Sequence, residues 1–447
     1  MLNNKKIEEI LNLKTKFDIE IGNQMIDWMK YLWNYPRSLT GHGTLDTLSF
    51  LKSINPELEI HSYDSGDKVL DWVIPDEWNI YDAYIEHESG QRFAEFTKNN
   101  LHVLGYSIPC DTYLPLDELL VHIYTQADQP DLIPYVTSYY NEKWGFCMSD
   151  NAKKELPDGK YHAVINSKKG PGVLELADLI IEGESRDEIF FSTYICHPSM
   201  ANNELSGPVL SSSLIQYIKL KYNNPKYTYR FVFLPETIGS ITYLSCNAKE
   251  LKEKVICGFN LSCVGDNRAY SHIESRKGNT LADNALQAAL IGLNNIVKYS
   301  FLERGSDERQ YCAPGVDLPV CGFCRTKYGE YSEYHTDADN FDVVTEDGLN
   351  GALNVMKSIV DAFEVALFPK INVKCEPQLS KYGLRPDISQ KTNIDDIRTR
   401  SDFIAYADGE NSVFDISNKI KKNLKLVVAE AKELEEHGLL DNINVVL

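Results

Sequence analysis

Two histidines and several carboxylates stand where apolar, strand-like runs end. His197 follows Ile189-Phe190-Phe191-Ser192-Thr193-Tyr194-Ile195 and precedes Asn202, Asn203 and Glu204. The run Arg230 to Leu234 delivers Glu236 into a turn, Gly258 to Val264 leads to Asp266, and His335 stands in Tyr334-His335-Thr336-Asp337-Ala338-Asp339. Singly, each has an ordinary structural reading: a histidine hydrogen-bonded after a strand, or a glutamate capping a helix start. Recurrence changes the weight. When several strands of one sheet end in histidine or carboxylate, the side chains gather along one edge, and such a set suits a zinc ion or a catalytic cluster.

The elements that must position these residues follow from periodicity. Aromatic and β-branched residues before His197 predict a buried strand, and Val209, Leu210, Leu214, Ile215 and Ile218 recur at helical spacing after Ser206-Gly207-Pro208. From 173 to 368 such pieces alternate, with strands over 188–195, 228–234 and 255–264 and helices near 208–221, 240–250, 281–297 and 347–367. The alternation predicts an α/β fold with a mostly parallel, mixed sheet flanked by helices. Ligands bind such sheets outside the carboxyl ends of the strands, where His197 falls.

Ile7, Ile10, Leu11, Met25, Ile26 and Met29 predict amphipathic helices ahead of Pro36. Between Glu57 and Ser167, short β-prone pieces such as Glu59 to Tyr63, Asp71 to Ile74 and His102 to Tyr106 alternate with turns and predict a small β-rich module. Near the C-terminus a helix from Asn411, a longer helix over 423–434 and His437-Gly438-Leu439-Leu440 resemble a winged helix. The expected division is 1–55 with 168–368 as the α/β core, 56–167 as an insert, and 369–447 as a winged-helix-like domain.

A formal charge of -20 repels polyanions, which argues against nucleic acid and anionic membranes as partners. The C-terminal module is itself acidic, so packing or protein contact suits it better than DNA reading. No apolar run is long enough to span a bilayer and no signal-like segment opens the sequence, so a cytoplasmic location is expected. Cys321-Gly322-Phe323-Cys324 lacks a second pair and reads as buried thiols. No serine-hydrolase elbow surrounds Ser206, and no phosphate-cradling glycine motif follows a strand.

The order of the polar spots resembles that of the zinc aminopeptidases of the co-catalytic, two-metal type. His197 matches the first histidine ligand, Asn203-Glu204-Leu205-Ser206-Gly207 the D-N-x-S-G turn, Pro235-Glu236 with Gly239-Ser240 the Glu-Glu pair, Asn260 to Gly265 the next strand, and His335 the final histidine. Gly305-Ser306-Asp307-Glu308 is similar to the family's G-S-D-H element. The sequence is more similar still to a bacterial subgroup with an inserted β-rich module bearing D-W-x-x-P-x-E-W, here Asp71 to Trp78, and a C-terminal winged helix. That likeness implies a zinc exopeptidase-like core and an association with polysaccharide biosynthesis.

Departures from the pattern reshape the expected chemistry. Asn203 replaces the bridging aspartate, Pro235 the first glutamate and Ser262 the strand aspartate. A neutral amide bridges two dications poorly, so one zinc is expected rather than two. The resemblance implies His197, His335 and Glu236 as ligands, with Asn203 and Asp266 as further candidates. Glu204 is the general base if Glu236 holds metal; if Glu236 is the base, Asp266 completes the site. Asp337 or Asp339 would orient His335, and Asp307, Glu308 and Glu333 would receive the substrate's ammonium. The function implied is hydrolysis of an amide in a small peptide, aminoacyl or acylated substrate, by a monomer or an oligomer. The alternative is a peptidase-like scaffold that binds a ligand or partner without turnover, and a third reading is a metabolite-sensing transcription factor.

Overall fold

Strands Glu188–Tyr194, Thr228–Leu234 and Val255–Leu261 are apolar almost without a break because the sheet they form is covered on both faces. Alternation sends Phe191, Phe231 and Phe259 into one apolar cluster with helix Ser206–Lys221. Phe190 and Val232 point the other way, into a second cluster with helix Ile238–Lys254. Phe191 stacks on Phe231 at 4.7 Å and on Phe259 at 5.6 Å between ring centroids, which fixes the register of the three strands.

The computed structural model describes residues 21–384 and 394–443. The main sheet has eight strands in the order Glu59–Asp64, Val173–Ile181, Thr228–Leu234, Glu188–Tyr194, Val255–Leu261, Val320–Cys324, Tyr270–Ile273 and Ile296–Tyr299. Four pairings are parallel and three antiparallel, so the sheet is mixed, as expected. The chain steps from Glu188–Tyr194 outward to Thr228–Leu234, then crosses back to Val255–Leu261 on the other side. Reversal of winding at that point, with helices on opposite faces, opens a crevice at the carboxyl ends.

Two expectations on element boundaries are corrected. The helix expected over 281–297 ends at Leu290, because Gly292 takes φ 87° and β-branched Ile296-Val297 pair with Tyr270–Ile273 as a strand. Strand Glu59–Asp64, grouped with the insert by sequence, runs antiparallel to Val173–Ile181 in the main sheet. The stretch around Ile7, Ile10 and Leu11 lies outside the described residues; the second expected apolar set forms helix Gly22–Leu32.

The insert builds its own four-stranded antiparallel sheet from Arg92–Phe93, Glu77–His87, Lys160–Gly170 and Cys110–Pro115. His102 to Tyr106, expected as a strand, form a tight turn and isolated bridges instead. A strap of the insert, Ile133 to Tyr139, returns to the main crevice: Tyr135 N–H donates to His335 O at 2.9 Å and Asp337 N–H to Ile133 O at 3.1 Å.

At the C-terminal end, Phe368–Ile371 pairs with Leu440–Ile443, and helices Val413–Ile420 and Leu424–Glu436 pack on the core in one continuous apolar cluster. Gly438 follows the longer helix with φ 66°, the left-handed turn its position predicts. Cys321 and Cys324 are buried, free thiols of a strand. Among the described residues, no helix is long and apolar enough to cross a membrane.

Candidate metal centre

His197 follows Tyr194 by three residues and is 4% exposed. Its Nδ1 is 3.0 Å from Glu204 Oε2, and its Nε2 is 3.8 Å from Glu236 Oε2, beyond hydrogen-bonding range. A carboxylate on Nδ1 fixes ring orientation and leaves Nε2 to act as a ligand. Glu204 can reach Nδ1 because residues Ala201–Leu205 form one wide π-type turn that carries it back under the imidazole. Such turns occur often at functional sites.

His335 arrives from the loop after Val320–Cys324, with its ring centroid 5.4 Å from that of His197. Tyr334 stacks on it at 3.9 Å. Its Nε2 is buried and has no hydrogen-bond partner in the protein. Tyr135 of the strap packs against both imidazoles, at 5.1 and 5.2 Å. Burial holds both imidazoles neutral down to about 3, with Arg37 adding to the effect at His197 and His197 at His335. Neutral imidazole is the metal-binding form.

Glu236 lies within the field of the Asp307 carboxylate. Burial first, and then the Asp307 charge, push Glu236 up to about 8; burial pushes Asp307 up to about 6. Asp307 Oδ1 accepts from Thr237 N–H at 2.8 Å and Ser240 Oγ at 2.7 Å, whereas its buried Oδ2 has no partner. Asn203 donates through Nδ2 to Tyr194 OH at 2.9 Å, which leaves its buried Oδ1 without a partner. Buried acceptors are normally satisfied, so unpartnered oxygens on Asn203 and Asp307 and an unpartnered imidazole nitrogen on His335, all beyond the carboxyl ends of the strands, are open to a guest. Thr237, Cys263, Ser199 and His335 all hold positive φ, a concentration of strain typical of functional sites.

Other expected site residues are committed elsewhere. Asp266 accepts from Asn202 Nδ2 and from Thr326 N–H and Oγ1, so it ties loops together and is not offered as a ligand. Asp339 accepts from the N–H groups of Asn202 and Asn203 and from Tyr331 OH, capping the π-type turn; burial raises it to about 6. Asp337 accepts from Ile133 N–H at 2.8 Å and anchors the strap. Neither carboxylate makes the contact to His335 that was expected of it. Glu308 is satisfied by Asn260, Gly305 and Tyr328, and Glu333 is held low, at about 2, by bidentate Arg268. Of the three expected ammonium acceptors, only Asp307 keeps a free oxygen. Glu204, a candidate base, is instead bound to His197.

Sequence reasoning missed Arg37 and Tyr135. Arg37 is buried, and its Nε lies 3.7 Å from Glu204 Oε1. Burial pushes the Glu204 carboxyl up, opposed by Arg37 and His197. Proline and tyrosine clustering over 134–140 was the one available signal for the strap. Cys196, His197 and Glu204 place their ligand atoms within 4.8 Å of one another, a tighter group than any that includes His335. The Arg37 guanidinium already supplies positive charge on that side, so the Nε2 side, facing Glu236 and the His335 ring, fits a cation better. Two neutral imidazoles and a carboxylate are the donor set of catalytic zinc sites.

Comparison with known proteins bears on the fold. Residues 11–366 match a family described as a domain of unknown function, DUF4910, and residues 367–442 match a winged helix-turn-helix family. A Clostridium acetobutylicum protein provisionally named for polysaccharide biosynthesis, with an aminopeptidase-like domain, is 38% identical over 97% of this chain and 99% of its own length. A crystal structure of a provisionally named peptidase from Clostridium acetobutylicum superposes with TM-score 0.87 at 35% identity, covering 98% of this chain and 99% of that one. The zinc aminopeptidase of Bacillus subtilis superposes with TM-score 0.55 at 11% identity over 76% of this chain and 94% of that one, a likeness of fold alone.

Proposed function

This chain belongs to the DUF4910 family, with an aminopeptidase-like fold and a winged helix-turn-helix behind it, and we propose that it hydrolyses an amide bond with the help of one zinc ion. The observation that carries this reading is the buried, unpartnered Nε2 of His335 beside a His197 whose Nδ1 is already held by Glu204. His197, His335 and Glu236 would hold the ion, with Asn203 Oδ1 as a further oxygen. Bound there, zinc would polarise the scissile carbonyl and make a water nucleophilic at neutral pH.

The protein's own groups do the rest. Glu204 keeps the His197 ring in one orientation. Asp307 Oδ2 receives a hydrogen of the substrate's free amino end, and its carboxyl, lifted toward neutral pH by burial, exchanges a proton with that amine. Tyr135 and the strap shield the crevice from bulk water. The polysaccharide link in the name of the Clostridium relative favours an aminoacyl or acylated sugar amide as substrate. Asn418 and Asn423, in and after the first of the two docked helices, donate to the carbonyls of Asn284 and Ile291, which supports a packing role for the winged helix over DNA reading.

Elemental analysis is expected to find about one zinc per chain. A panel of aminoacyl and acylated-sugar amides should be cleaved only when zinc is present. A protein with neither metal nor hydrolysis would sink the proposal. The second reading, a scaffold that binds without turnover, is favoured by Asn203 and by Ser262, whose Oγ faces Cys324 Sγ at 3.6 Å where the family pattern has a carboxylate. Tight zinc binding with no turnover on any amide selects it.

A further inference from the structure

Arg37 takes no part in the chemistry above, yet it is 1% exposed and touches three separate elements. It stands on the loop after helix Gly22–Leu32. Its Nη1 donates to Leu32 O at 2.6 Å, at the helix end where carbonyls lack partners and the dipole is negative. Its Nε donates to the backbone carbonyl of His197 at 3.0 Å, across 160 residues of chain, and lies 3.7 Å from Glu204 Oε1. Nη2 has no protein partner, and Arg37 lines a cavity of about 20 Å³ with Pro36, Trp78, Leu101, Tyr135 and Pro198. That volume admits about one water, too little for a ligand, so the guanidinium is not a substrate anchor there.

A buried guanidinium carries a desolvation cost that an apolar residue of similar volume would avoid. Its two hydrogen bonds and one ion pair give it a use that an apolar residue cannot match. We propose that Arg37 is a positioning residue for the metal centre: one planar group fastens the end of the N-terminal helix to the backbone of His197 and to the carboxylate that grips Nδ1. Both ends of the His197 side chain are then fixed, and Nε2 is presented to the crevice in a single orientation. The inference rests on the zinc reading above and deepens it. It also explains why the group formed by Cys196, His197 and Glu204 is not itself an ion site: the guanidinium occupies the place of the cation.

Cobalt binding to the full chain tests the proposal, read by chelator competition and by the visible absorption of the bound ion. Arg37→Met is expected to weaken cobalt binding about 10- to 100-fold, the usual effect of losing an outer-sphere partner, and to alter the absorption band. Arg37→Lys, which keeps the charge but not the fork, should recover part of the affinity. Arg230→Met is the control, since Arg230 is equally buried but paired with Glu188 at the opposite strand ends; it should lower the melting temperature and leave cobalt affinity unchanged. Wild-type affinity and spectrum in Arg37→Met overturn the proposal. If Arg37→Met does not fold, Arg37→Lys and Glu204→Asp are judged by the same criterion. If the wild type binds neither cobalt nor zinc, the zinc reading fails. The brace is then read from the His197 ring-nitrogen resonances of the metal-free chain, which should show hydrogen on Nδ1 in the wild type and a changed pattern in Arg37→Met; identical spectra overturn it.

Discussion

His272, Asp283 and Cys321 form a second cluster with the same three kinds of group, imidazole, carboxylate and thiol, as His197, Glu204 and Cys196, and both are buried. In each, imidazole and carboxylate meet at 3.0 Å. Their surroundings differ. Asp283 also accepts from Ser275 N–H and Oγ and from Thr280 N–H and Oγ1, as the third residue of a capping box that starts helix Leu281–Leu290. Burial would raise its carboxyl, but the hydrogen bonds from His272, Ser275 and Thr280 outweigh that and bring it to about 2. Glu204 has one imidazole and an ion pair, keeps an oxygen without a hydrogen bond, and is pushed up. The Asp283 cluster is complete without a guest and the Glu204 cluster is not. Residue types alone do not separate a ligand set from a structural network; the number of unmet hydrogen-bonding groups does.

Three measurements would break or sharpen that contrast. The largest effect is expected from Asp283→Ala, which strands several buried donors and should cost about 4 kcal/mol in urea unfolding, with zinc affinity retained. Next is His335→Ala, which should reduce zinc affinity at least ~100-fold, roughly 2.7 kcal/mol, with little change in metal-free stability. Zinc loss in Asp283→Ala, or full zinc binding in His335→Ala, would erase the distinction. The smallest effect is in acid. With Asp283 near 2 when folded and 3.8 as its ordinary value, the unfolded chain takes up the proton first as pH falls. The stability this group contributes is fully present above about pH 4 and is lost toward pH 2, by about 2 kcal/mol. Denaturant midpoints of wild type and Asp283→Asn should therefore converge over that range, and a constant gap between them counts against the assignment.

Much of the frame was legible because its cause is local. The strands over 188–194, 228–234 and 255–261 announce themselves as apolar runs, and position at their ends singled out His197 and Glu236. Asp266 and Asp339 stand at equally suggestive places but serve as acceptors for backbone N–H groups, a role fixed by loops that meet only in the folded chain. Arg37 sits in a turn-like stretch with no local sign of burial, and Tyr135 belongs to an insert whose path back to His335 no periodicity describes.

By itself the sequence determined the alternation of strand and helix, and thereby which edge of the sheet would collect imidazoles and carboxylates, since both follow from short-range patterns of side-chain type. Only the tertiary structure decided which of those groups are already satisfied. Saturation of a buried oxygen or nitrogen depends on partners such as Arg37 and His197, 160 residues apart, brought within 3.0 Å by packing that no local pattern encodes.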